Sequence, residues 1–168
     1  MDRMGTTESR KTKKRRKNMK ERIGGRTVSK ELADSLEPDY TPVEKGKYPM
    51  VIVRELTYKK SPRTGNFYAQ LTLKHATPEL KQKGIVTMNF TQNEVGDSLF
   101  YNFLKAIGVP KENLVGSSWA GTQVDKAASI VAGGEEVSIK GREIVVGLKI
   151  KESTDGYPAK NEVSYFEK

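Results

Sequence analysis

The chain has 168 residues, 30 Lys/Arg against 21 Asp/Glu, and a formal charge of +9, a length that supports one modest domain. It contains no cysteine, which excludes disulfides, thiolate nucleophiles and Cys-built zinc or iron-sulfur sites. No stretch approaches the ~20 apolar residues of a membrane span and no apolar secretory signal is present, so an intracellular, non-membrane protein is expected.

The surplus charge is segregated. Twelve Lys/Arg and three Asp/Glu fall in the first thirty residues, and the remainder balances at eighteen of each. Residues 10–22, with Lys13, Lys14, Arg15, Arg16 and Lys17 at their centre, form a like-charge block that repels itself open. Residues 1–44 are therefore expected to be a flexible, disordered basic arm, with folding from 45 to 168. Within the arm, Ser29 as a cap and Leu32, Ala33 and Leu36 on one side predict a short helix over 28–36, bounded by Gly24, Gly25 and Pro38.

The β-branched and aromatic density of residues 48–58 predicts one long strand, with Pro49 tolerated near its start. Pro62 and Gly65 mark a hairpin loop after it. Phe67, Ala69, Leu71 and Leu73 then alternate with Tyr68, Gln70, Thr72 and Lys74, and Val86, Met88 and Phe90 alternate with Thr87, Asn89 and Thr91. Each run has a core face and a polar face expected to be free. From 93 to 107 the period changes to threes and fours through Val95, Leu99, Phe103, Leu104 and Ile107, with Gly108 and Pro110 as a stop, which predicts an amphipathic helix.

Residues 111–134 read as an insertion, with Leu114, Val115 and Trp119 in a Gly/Ser-rich stretch and a short helix over 123–132 ended by Gly133 and Gly134. Ile144, Val146, Leu148 and Ile150 alternate with Val145, Gly147, Lys149 and Lys151; a turn at Thr154-Asp155-Gly156 follows, and 161–167 make a last strand. Three strands, a helix and two strands is the order of a five-stranded OB-type barrel, a mainly-β fold whose helix joins strands three and four.

Gly46-Lys47-Tyr48, the run from Gly65 to Leu71, the helix end from Phe103 to Val109, Lys140-Gly141-Arg142 and Asn161-Glu162-Val163 together carry a family resemblance. In that order they resemble a bacteriophage family of OB-fold, single-stranded-DNA-binding-like proteins, long filed as a domain of unknown function. The resemblance spans residues 46–167 and implies non-catalytic binding of single-stranded DNA, or of RNA, in phage replication or recombination. Replication or recombination proteins become expected partners, oligomerisation stays open, and the implied location is the cytoplasm of an infected bacterial host. The chain departs from bacterial single-strand binding proteins in lacking an acidic tail at Tyr165-Phe166-Glu167-Lys168. The basic arm is not part of the resemblance, and its expected role rests on charge alone.

On an OB barrel a single strand crosses the second and third strands, between the loop joining the first two strands and the loop joining the last two. Mapped onto this chain, the sheet offers Tyr68, Gln70, Thr72, Lys74, Thr87 and Asn89, the first loop Lys59, Lys60 and Arg63, and the last hairpin Lys149 and Tyr157. Tyr68 fits a base-stacking platform or an ordinary half-exposed strand residue. The loop cations fit phosphate contact or simple solvation, Trp119 an anchor for the insertion or a stacking ring, and Tyr157 turn packing or ligand contact. The arm cations fit phosphate binding, nuclear targeting in a eukaryotic host, or docking on an acidic protein or lipid surface.

Catalysis is not expected. His75 is the only histidine, Glu135-Glu136 is the only adjacent acidic pair and would point to opposite faces of a strand, and no glycine loop ends in Gly-Lys-Ser/Thr. No cofactor or metal is implied. The other class of function consistent with the chain is a protein-interaction or structural module of a larger viral assembly, anchored by its arm.

Overall fold

A computed structural model describes residues 25–37, 39–152, 156 and 158–167. It divides into two units, residues 1–36 and 37–168. In the first, helix α1 (Lys30–Leu36) begins where Ser29 Oγ accepts from the amide of Leu32 at 3.1 Å, the cap that the sequence predicts. Lys13, Lys14, Arg15, Arg16 and Lys17 lie outside the described residues, as does Tyr157.

The second unit is mainly antiparallel β. Strands β1 (Gly46–Ile52), β2 (Thr57–Lys60), β3 (Phe67–His75), β4 (Val86–Phe90), β8 (Glu143–Lys151) and β9 (Lys160–Glu167) form one sheet in the order β2-β3-β1-β8-β9, with β4 on β3. The expected single strand over 48–58 is bent into β1 and β2, which share one edge of β3 while β4 takes the other. The bend falls at Arg54 and Glu55. Glu55 leaves the ladder and its carboxylate accepts from Ser138 Oγ at 2.6 Å and from the amide of Ile139 at 3.0 Å, tying the bend to the far end of the insertion. Burial would raise the Glu55 pKa, but these bonds and Lys140 outweigh it and hold the carboxyl below its ordinary value.

Alternation places Met50, Ile52, Ala69, Leu71, Leu73, Val86, Phe90, Ile144, Val146 and Leu148 on the inner face, all buried. Helix α2 (Glu94–Ala106) covers this core with Phe100, Phe103 and Leu104, rings packing on Phe90 at 5.5 Å. Each such fully buried side chain contributes roughly 1.5–3 kcal/mol by leaving water. Asn93 caps the helix by accepting from the Gly96 amide, and at the other end the amides of Gly108 and Val109 return to the carbonyls of Lys105 and Leu104, a Schellman stop. The predicted helix over 93–107 is thus observed in place. β4 also runs alongside β9, but no ladder joins them among the described residues.

The insertion differs from expectation. After a short helix α3 (Lys111–Leu114), β5 (Ser118–Ala120), β6 (Ser129–Ala132) and β7 (Glu135–Glu136) form a small second sheet in place of a helix over 123–132. Ile130 and Ala132 face the core while Ser129 and Val131 face out, a period of two. Gly133 and Gly134 have φ of +62° and +78°, the conformation a two-residue primed hairpin turn demands, so the glycines turn a hairpin instead of stopping a helix.

Residues 39–43 were expected in the arm and instead belong to the folded unit. They form a strap. The Asp39 amide donates to Gln82 O at 2.7 Å, Lys83 Nζ donates to Asp39 Oδ2 at 2.8 Å and to Thr41 O at 2.9 Å, and Asn161 grips Val43 by accepting from its amide and donating to its carbonyl. Val43 is buried, which polar composition around it conceals in the sequence.

Candidate functional site

The sequence-nominated residues within the described part of the chain lie on β2 and the turn after it, on β3 and β4, and on β8. Tyr68, Gln70, Thr72 and Lys74 share its outer face, and register sets Lys59 opposite Tyr68, Asn89 opposite Gln70 and Thr87 opposite Thr72. Thr87, Asn89 and Lys74 are exposed, and Gln70 and Tyr68 are half-buried. Gln70 Nε2 donates to Asn89 Oδ1 at 3.4 Å, a long bond that a ligand's acceptors and donors can replace. Thr72 is the exception to the expected free face. It retains 1% of its surface, so it has nothing to offer a ligand.

At the β2 end the expected loop cations are already engaged. Lys59 donates to Asp125 at 2.9 Å, a pair that raises the lysine pKa, and Lys60 Nζ lies 5.5 Å over the Phe67 ring. Phe67 stacks on Tyr58 at 5.1 Å, and Tyr58 meets Trp119 of β5 at 6.3 Å. The insertion fastens to β2 through the Asp125 amide on Tyr58 O and the Tyr58 amide on Lys126 O, and to the residue before β2 through the Ala128 amide on Leu56 O. Trp119 is accordingly an anchor, half-buried against the core. Arg63 is exposed in its turn, with neither an ion pair nor a ring contact among the described residues.

A groove of about 770 Å³ opens between β4 and β9. Thr87 and Asn89 form part of one wall and Lys149, Lys151, Lys160 and Asn161 the other; Met88, Val95 and Leu99 supply apolar surface, and the strap with Tyr40 and Lys83 closes one side. Two lysines are compensated, Lys83 by Asp39 and Lys149 by Glu162 at 3.4 Å. Lys151 and Lys160 are not. They are register partners directly across the β8–β9 hairpin, both exposed, with no acidic partner among the described residues. Like charges facing each other across a ladder repel, and an anion between them removes the repulsion.

His75 also lines the groove, 5% exposed, with the Tyr48 ring edge-on at 5.4 Å and its Nδ1 without a hydrogen-bond partner among the described residues. Burial first, and the charge of Lys83 second, push its pKa below the ordinary imidazole value, so it is neutral at pH 7. Asp39 is held near pKa 2, chiefly by the bond from Lys83 and then by the Thr41 amide, and stays ionised throughout the physiological range.

Of the residues nominated from the sequence, Thr87, Asn89 and Lys149 line this groove; Tyr40, Lys83, Lys151 and Lys160, which also line it, were not nominated. The available signal was the set of three lysines, 149, 151 and 160, flanking one hairpin turn. No group of three or more His, Asp or Glu positioned to hold a metal occurs among the described residues, and no helix among them is long and apolar enough to cross a membrane. No protein-family model matches the chain, and no curated protein matches it.

Proposed function

We propose that the chain is a non-catalytic single-stranded-DNA-binding protein of bacteriophage replication or recombination, with RNA as the alternative strand, and that its main sheet acts as an OB-type barrel. The strand order, the helix between β4 and β8 and the approach of β4 to β9 support the barrel. The observation that carries the function is the Lys151–Lys160 pair, without an acidic partner among the described residues, on a groove whose opposite wall is the polar, exposed edge of β4.

In this reading phosphates settle against Lys151 and Lys160, while bases meet apolar and hydrogen-bonding surface along β4 and β3. The basic arm adds sequence-independent phosphate contacts, each releasing counterions. A backbone held at the rim with bases turned inward requires unpaired bases, because in a duplex their edges are engaged with the other strand.

Titration of the full chain with a labelled oligothymidylate and with a matched duplex, across a range of salt, tests this. Tighter binding to the single strand, weakened by Lys151→Glu with Lys160→Glu, is the expected result. Equal affinity for both forms, insensitive to the two substitutions, would reduce the activity to the arm and sink the proposal.

A further inference from the structure

Tyr40 is 75% exposed, yet its backbone is fastened on both sides: Asp39 to Gln82 and Lys83 before it, and the Thr41 carbonyl to Lys83 after it. Its ring lies on Gly84. A methyl group added there would sit 3.0 Å from Tyr40 Cδ1, inside normal contact, so the absence of a side chain gives the ring its seat. The ring is on the groove, alongside Lys83 and the wall that carries Lys151 and Lys160. Core packing does not account for an aromatic ring left in water on a fastened strap.

We propose that Tyr40 is a base-stacking platform of this groove, receiving an unpaired nucleobase on its open face while the strand continues toward Lys151 and Lys160. The inference rests on the single-strand reading above and extends it to a residue outside the β3–β4 face. Tyrosine suits the role because its large ring has few torsions to freeze, and a ring already supported on one side needs little ordering when a base arrives. Stacking on it is sequence-tolerant, since every base has a π face. Tyr68 is a poorer platform, half-buried and set across the ladder from Lys59.

The test uses the full chain and a fluorescent oligothymidylate of about twelve residues, within the usual span of such sites. Tyr40→Ala is expected to weaken binding by about tenfold or more, Tyr40→Phe to restore it, and ultraviolet crosslinking of the unaltered complex to label Tyr40. Wild-type affinity in Tyr40→Ala, or Tyr40→Phe as weak as Tyr40→Ala, overturns the platform. If Lys151→Glu with Lys160→Glu weakens binding while Tyr40→Ala does not, the platform falls and the groove reading stands. If the full chain shows no preference for single strands, both fall. Should Tyr40→Ala also lower the melting temperature, the crosslink decides: an adduct on Tyr40 supports the platform, and its absence overturns it.

Discussion

The region where β2 meets the insertion and the groove between β4 and β9 carry similar residue types and have opposite characters. At the β2 end a lysine, an aromatic pair and a tryptophan are bound to one another and to the insertion: Lys59 to Asp125, Phe67 to Tyr58, Tyr58 to Trp119. At the β4–β9 end two facing lysines and an exposed tyrosine have no such partners among the described residues. Charge and aromaticity alone therefore do not single out a candidate site; what distinguishes the two regions is whether the fold has already compensated them.

The sharpest way to break this comparison is to reverse the charge at the open end. Lys151→Glu with Lys160→Glu should lower oligonucleotide affinity by one to two orders of magnitude, and the neutral pair Lys151→Ala with Lys160→Ala should reduce the slope of log affinity against log salt by about 1.4, at roughly 0.7 per phosphate contact on a single strand. The alanine pair should be as stable as the wild type or more so, because its cross-strand repulsion is gone, whereas the glutamate pair keeps a like-charge repulsion. An unchanged salt slope would mean that the pair meets no phosphate.

Truncation at the closed end should do the reverse. Tyr58→Ala removes the ring on which Phe67 and Trp119 pack, and urea denaturation should show a loss of about 2–4 kcal/mol. Binding per folded molecule should stay at the wild-type value. A binding defect in a folded Tyr58→Ala protein would make this end part of the site.

Acid should weaken the groove side through His75. Its folded pKa lies below the unfolded value of 6.5, so the unfolded chain takes the proton first. His75 therefore costs no stability above that pH, and stability is lost progressively as pH falls below it, until the folded imidazole is protonated too. The melting temperature of the wild type should decline between pH 7 and 5, and His75→Met should flatten that decline. A parallel decline in the variant would remove His75 as its cause.

The smallest effect is expected at Lys59. Its pair with Asp125 is largely solvated, so Lys59→Ala should cost about 0.2–1 kcal/mol and leave oligonucleotide affinity within twofold. A tenfold loss of affinity would show that the pair opens to release the lysine for phosphate.

What could be read from the chain was whatever is local. The alternation of β3 and β4, the helix with its Gly108 stop, the β8–β9 hairpin and the Ser29 cap depend on residues within a few positions of one another, and each stands where the pattern put it. The segregated charge was legible too, because it needs only counting. The insertion was misread because Gly133-Gly134 serves equally as a helix stop and as a hairpin turn, and only pairing with β5 decides between them.

The sequence by itself determined the strands β3 and β4, the helix α2, the β8–β9 hairpin and the segregation of positive charge into the first thirty residues. Tertiary structure alone decided which side chains remain available: Asp125 reaches Lys59 from 66 residues away, the strap draws Asp39 onto Lys83 across 44, and Thr72 disappears from a face that alternation declares open. Local preferences propagate through the backbone over a turn or a strand, whereas charge compensation and burial depend on which distant segments meet. A binding surface is what those meetings leave uncompensated.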